Sequence, residues 1–279
     1  MNSILAVDIG GTKLAVGVVD EDGRIARRAQ APTDTEDPWP ALAALVEDMR
    51  GDDVVAVGVG CGGPMAPGGE TVSPLNIAGW RAFPLRAELS RLTDRPAFVD
   101  NDAKALALGE GWVGAGRGAT NFIAMVVSTG VGGGIVVDGR LLEGETGNGG
   151  HIGHVIVEPD GVACACGARG CLEAEASGTA IAKATGKPAQ EADPATIERT
   201  GRLVGRGIAS VVNLLDLRLA LVGGSVALGM GEAFFAAAQR EVDDRCRIEF
   251  ARGARVAPVG LGPDGPLIGA AAVAYRGLA

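Results

Sequence analysis

Histidine is scarce in this sequence, with two in 279 residues, His151 and His154. Cysteine is nearly as rare at five, and three of those fall in one short segment. No disulfide framework is expected, and a reducing cytoplasm is the simplest compartment. No stretch approaches the roughly twenty apolar residues that span a bilayer. The apolar run from Met1 to Val7 is too short for a signal peptide, and Asp8 interrupts it. Basic charge is also in deficit: Lys and Arg total 25 against 34 Asp and Glu, a net charge of −9. Nucleic-acid binding needs clustered Lys and Arg, so neither nucleic acid nor membrane is an expected partner. Nucleotides stay open, because backbone amides can hold phosphates.

Glycine is plentiful, 45 of 279, about twice the usual share. The glycines gather at strand ends without a three-residue period, which excludes collagen and linker readings. The apolar fraction of 47% with 21% charged residues is ordinary for a globular chain with a real core. The length permits one large domain or two of ordinary size.

Apolar runs predict strands at 4–8 and 14–20, joined by the tight turn Gly10-Gly11-Thr12-Lys13, and a third strand at 24–31. Trp39, Leu42, Val46 and Met49 predict a helix over 38–50. A strand at 54–59 ends in Gly60-Cys61-Gly62-Gly63-Pro64, and an irregular loop covers 64–80. Leu85, Leu89 and Leu92 mark a short helix before a strand at 97–99. Asp100-Asn101-Asp102 lies at the end of that strand, where a helix to about Trp112 begins. A second hairpin pairs 119–127 with 134–137 around Ser128-Thr129-Gly130-Val131-Gly132-Gly133. Val204, Ile208, Val211 and Leu215 form one helical face. A strand at 219–222 ends in Gly223-Gly224-Ser225 before a helix, and 266–275 is a final apolar helix. The segment Val7-Asp8-Ile9-Gly10-Gly11-Thr12 recurs in kind as Val127-Ser128-Thr129-Gly130-Val131-Gly132, 120 residues later. Two similar α/β halves, gripping one ligand with both turns, are expected from that repeat.

Each Gly-rich turn can aim amides at phosphate oxygens, with Thr12 and Thr129 adding hydroxyls. Neither turn has Walker A spacing. Asp8 is placed to hold Mg2+ through water, while Lys13 is either a phosphate partner or a solvated strand residue. Asn101 and Asp102 are candidates for acid–base work, although either residue type also caps a helix. Glu173 can hydrogen-bond a polyol or simply stay exposed. His154, Cys164, Cys166 and Cys171, spaced H-x9-C-x-C-x4-C, carry the ligand types of a closed zinc site. Cys61 and Cys246 read as core residues.

Asp8-Ile9-Gly10-Gly11-Thr12-Lys13, Asn101-Asp102-Ala103, Ser128 through Gly134, Gly153-His154 and Cys164 through Glu173 together resemble the ROK family of sugar kinases and sugar-responsive repressors. The resemblance spans almost the whole chain in order. It implies a two-domain actin-like (ribonuclease H-like) α/β fold with a structural zinc knuckle. The domains expected are 1–115, completed by the helix 265–279, and 116–264. It further implies ATP with Mg2+ on Asp8–Lys13, Ser128–Gly134, Gly223 and Gly224, and zinc on His154, Cys164, Cys166 and Cys171. Asp102 becomes the catalytic base, and Gly63, Asn76, Asn101, His151, His154 and Glu173 sugar contacts. A homodimer acting on a small sugar is expected.

His151 departs from the Glu-x-x-His pattern of most glucokinases in the family. His151-Ile152-Gly153-His154 resembles bacterial N-acetylmannosamine kinases instead. N-acetylmannosamine is therefore favoured over glucose, with polyphosphate left open as donor. His151 as mere support for the zinc site is also open. A sugar-sensing regulator is the weaker expectation, since such members carry a helix-turn-helix ahead of the first hairpin.

Overall fold

Among residues 2–279, which the computed structural model describes, ten strands form two five-stranded sheets. The chain packs as two units, Met1–Arg117 with Glu143–Gly149 and Gly260–Ala279, and Gly118–Leu142 with Gly150–Val259.

In the first unit β1 (Ser3–Ile9), β2 (Lys13–Val19) and β3 (Ile25–Pro32) make an antiparallel meander. Helix α1 (Trp39–Met49) then crosses to β4 (Val54–Cys61), which pairs parallel to β1. Helix α2 (Leu85–Thr93) leads to β5 (Ala97–Asn101), parallel to β4, and α3 (Asp102–Val113) follows without a loop. The sheet order is β3-β2-β1-β4-β5.

The second unit repeats this plan. Strands β6 (Phe122–Val127), β7 (Val131–Val137) and β8 (Arg140–Leu141) form the meander. Helices α4 (Leu172–Ala176), α5 (Gly178–Thr185) and α6 (Pro194–Leu215) precede β9 (Leu219–Gly223), parallel to β6. Helix α7 (Ser225–Arg245) and the parallel strand β10 (Arg255–Pro258) complete it, giving the order β8-β7-β6-β9-β10. Helix α8 (Gly265–Leu278) returns to the first unit. The internal repeat read from the sequence is thus a repeat of strand topology.

Strand β1 is buried on both faces, which is why it reads as an unbroken apolar run. Leu5, Val7 and Ile9 pack with Leu42 of α1 and Leu85 of α2. Ile4 and Ala6 face the other way, toward Leu267, Ala270 and Ala274 of α8. Close approach of α8 depends on Gly58 in β4, where a Cβ would sit 2.0 Å from the carbonyl oxygen of Ala270. In the second unit Ile123 and Met125 of β6 pack with Leu203, Val204 and Ile208 of α6 and Phe234 of α7. No helix among the described residues is long and apolar enough to cross a membrane.

The helical face at Val204, Ile208, Val211 and Leu215 lies within α6, which begins at Pro194, where the Asp193 side chain caps it by accepting the Thr196 amide at 2.8 Å. Its first turns are polar and carry little periodicity. One expectation is corrected: the strand expected at 134–137 is β7 and begins at Val131, so the turn is only Ser128–Gly130. Glycine backbones pair like any others, and Gly132, Gly133 and Gly134 lie in the ladder opposite Val126, Met125 and Ala124.

Buried charges fasten both units. The Glu110 carboxylate, fully buried, accepts the amides of Ala115 (2.8 Å), Gly260 and Leu261 (both 3.0 Å). Between α6 and α7, Glu241 accepts from Arg206 at 3.1 Å and Arg245 at 2.6 Å. Burial alone would raise the Glu241 carboxyl, but the Arg245 and Arg206 hydrogen bonds and charges hold it below its ordinary value of 4.5. Such a group binds fewer protons folded than unfolded. Its stabilisation is complete above pH 4.5 and is lost as pH falls through the folded value. The melting temperature of Glu241→Gln is therefore expected to fall less steeply than wild type as pH drops below 4.5, and parallel slopes would contradict this.

Candidate active site

In the first unit the parallel register brings the candidate groups to the carboxyl ends of three strands, the usual ligand end of such sheets. Asp8, Gly60 and Asp100 share one row of the ladder, and Ile9, Cys61 and Asn101 the next. A Cβ on Gly60 would lie 3.6 Å from the Asp102 Cα and 3.9 Å from an Asp8 carboxylate oxygen. The Asp8 carboxylate and the Asp102 backbone therefore flank a position without a side chain. Burial, then the negative charge of Asp102, push the Asp8 carboxyl up to about 7, against the opposing pull of Lys13. A divalent cation with phosphate would relieve that crowding, since Mg2+ is usually held through one or two carboxylates plus substrate oxygens. The Cys61 thiol beside them is driven up by burial and by both acids, and stays protonated in the core.

Asn101 does cap α3, its side-chain oxygen accepting the amides of Ala103 (3.0 Å) and Lys104 (3.4 Å). Asp102 is exposed, and its Oδ1 accepts the Ala103 amide at 2.8 Å. A Cβ on Gly63 would lie 3.9 Å from the Asn101 Nδ2, so Gly63 adjoins that amide group. The Asn76 side chain presses on Gly11, where a Cβ would meet it at 2.7 Å. In the first turn the Gly10 amide donates to the Lys13 carbonyl at 3.0 Å, with Thr12 and Lys13 exposed.

In the second unit the Ser128 amide closes the other turn on the Gly130 carbonyl at 2.9 Å. Glu173, in the first turn of α4, accepts the Val131 amide at 3.0 Å. The short turn Ile152–His154 lies on the same strand end, for a Cβ on Gly153 would be 2.2 Å from the Val131 carbonyl oxygen. His151, His154, Glu173 and the turn Ser128–Gly130 are thus brought together. The His151 and His154 ring centroids are 6.1 Å apart. Gly224, at φ 93°, lets the start of α7 reach this turn, and the Ser225 and Ser128 hydroxyls are 2.9 Å apart. Gly133 and Gly134 are not brought there. Both are buried within β7, and a Cβ on Gly133 would strike Ile152 at 2.9 Å.

His154, Cys164, Cys166 and Cys171 converge with all four ligand atoms within 4.8 Å of one another. His154 Nδ1 is 3.9 Å from Cys164 Sγ, and the Cys166 and Cys171 sulfurs are 3.7 Å apart. Sulfurs on a tetrahedral ion with bonds near 2.3 Å would be about 3.8 Å apart. A disulfide needs about 2.05 Å. The donor set fits a tetrahedral, thiophilic cation.

The profile of the ROK family matches residues 4–276. The chain belongs to the ROK family. It is 36% identical over 295 residues to the N-acetylmannosamine kinase of Haemophilus influenzae, covering 96% of this chain and 93% of that protein. It is 34% identical over 307 residues to the glucokinase of Thermotoga maritima, covering 97% and 96%. The structure of a ROK family glucokinase from Streptomyces griseus in complex with glucose and AMPPNP superposes with a TM-score of 0.83 at 33% identity, covering 98% and 99%. In class this ROK protein is a sugar kinase, a phosphotransferase with an alcohol acceptor.

Sequence reasoning passed over one feature beside Asn101 and Asp102. Lys104, with 3% of its side chain exposed, binds Asp100 at 3.0 Å, Glu143, and the Gly147 carbonyl at 3.1 Å. Arg276 of α8 completes the group at 2.5 Å from Glu143. This network ties the segment Glu143–Gly149 to the start of α3. Only the i,i+4 spacing of Asp100 and Lys104 is visible in the sequence.

Proposed function

We propose that this ROK protein transfers the γ-phosphoryl group of ATP to the 6-hydroxyl of N-acetylmannosamine. The observation that carries the reading is Asp102, exposed at the start of α3 across Gly60 from Asp8. Asp102 accepts the hydroxyl proton as the sugar oxygen bonds to the γ-phosphorus. The bond from phosphorus to the bridging oxygen breaks, and its electron pair leaves on ADP. Rate comes mainly from position and charge stabilisation, because little covalent chemistry falls to the protein. Mg2+, when bound near Asp8, supplies positive charge to the phosphate oxygens. Amides of the turns at Gly10–Lys13 and Ser128–Gly130 hold phosphates, with Gly223 and Gly224 near the adenosine. Asn101, Gly63 and Asn76 in the first unit and His151, His154 and Glu173 in the second bind the sugar.

Zinc on His154, Cys164, Cys166 and Cys171 is structural in this reading, within an actin-like two-domain fold. Four protein ligands leave no open position for chemistry. Its role is to fix the loop between His154 and Glu173. The protein as isolated is expected to hold about one zinc per chain by elemental analysis. Cys166→Ser should lose zinc and melt at lower temperature; a full-strength apo protein would contradict a structural role.

The choice of sugar rests on His151. A neutral imidazole can donate or accept one hydrogen bond without adding a buried negative charge. That suits a 2-acetamido group, whereas a carboxylate suits a pair of hydroxyls. The Thermotoga maritima relative supports glucose as the second reading. A coupled ADP assay over hexoses and N-acetylhexosamines tests both. Wild type is expected to give its highest kcat/KM with N-acetylmannosamine, and His151→Glu to move the ratio toward glucose by about tenfold. An unchanged ratio would remove His151 as the determinant, and a wild-type preference for glucose would favour the second reading.

A further inference from the structure

Each Gly-rich turn is gripped from behind by one threonine, and the grip falls on carbonyl groups. In the first unit Thr33, just past β3, donates its hydroxyl to the Gly10 carbonyl at 2.7 Å. Its amide donates to the Thr12 carbonyl at 3.2 Å. In the second unit Thr179, in the first turn of α5, donates its hydroxyl to the Thr129 carbonyl at 2.9 Å, and its amide at 3.4 Å. The neighbouring Gly178 amide donates to the Ser128 carbonyl at 2.7 Å. The approach is close: a Cβ on Gly178 would sit 3.0 Å from that carbonyl oxygen.

Peptide geometry turns this grip into an orientation. The bonds here are trans, so each carbonyl points opposite to the N–H of the next residue. With the Ser128 and Thr129 carbonyls drawn to α5, the amides of Thr129 and Gly130 point away from it. With the Gly10 carbonyl drawn to Thr33, the Gly11 amide points away likewise. Three neighbouring amides are committed elsewhere: Gly10 to Lys13, Ser128 to Gly130, Val131 to Glu173. Outside the helices and strands, no backbone carbonyl among the described residues accepts from Gly11, Thr129 or Gly130.

We infer that Thr33 and Thr179 are positioning residues that lock the peptide planes of the two turns with their amides toward the phosphoryl group. The inference rests on the reading that these turns hold ATP phosphates. Preformed donors cost no reorganisation when charge arrives. The same arrangement occurs once in each unit, built from unrelated segments, a strand end and a helix start.

The test titrates a non-hydrolysable ATP analogue into wild type, Thr33→Val, Thr179→Val, Thr33→Ser and Thr179→Ser by calorimetry, alongside sugar and ATP kinetics. Valine keeps the shape and removes the donor, while serine keeps the donor. Each valine variant is expected to bind the analogue about three- to tenfold more weakly, with the sugar KM unmoved and the melting temperature lowered by no more than the loss of one hydrogen bond. The serine variants should bind like wild type. Valine variants that bind like wild type, or that lose sugar and nucleotide equally, would overturn the positioning role. Wild type that binds no analogue would overturn the ATP reading itself and this inference with it.

Discussion

Parallel register is the constraint on which the first unit's chemistry depends. Strands β1, β4 and β5 end in step, so Asp8, Gly60 and Asp100 occupy one row and Asn101 begins the next. Helix α3 starts at the residue after β5, which holds Asp102 at a helix N-terminus rather than on a loop. Gly60 then leaves open space between two acids. Burial, and then the charge of Asp102, make Asp8 harder to ionise, a cost that a cation beside it would offset. A one-row slip of β4 against β1 would separate these groups and exchange the two packed faces of β4.

The second unit uses the same five-strand plan for a different purpose. Its turn Ser128–Gly130 is backed by α5, by Ser225 and by Glu173, each from a distant part of the chain. The four-donor cluster runs from His154 to Cys171, two residues before Glu173, and gathers that loop into one place. One strand–turn–strand topology thus occurs twice with unlike attachments, and both histidines belong to the second copy.

What is legible in the sequence is what local chemistry determines. Glycine turns between apolar strands, Asn101-Asp102 at a strand end, and the spacing of the cysteines all survive translation into three dimensions. The internal repeat also survives, because it reflects strand order rather than identity of residues. Boundaries fare worse where the signal is ambiguous. A glycine run reads as a turn, yet Gly132–Gly134 continue β7, because a ladder needs backbone and not side chains. The polar first turns of α6 hide behind an Asp193 cap. Long-range polar partners leave almost no trace: Thr33, Thr179 and the Lys104 network look like ordinary surface residues until the fold joins segments tens of residues apart.

The proton acceptor is the centre of the mechanism, and Asp102→Asn interrogates it with little change in shape. Sugar affinity by calorimetry should stay near the wild-type value, while the single-turnover rate with ATP should fall by about 10²–10⁴-fold, the usual contribution of a positioned base. A variant that binds sugar normally and turns over at close to the wild-type rate would contradict the assignment of Asp102 and the mechanism built on it.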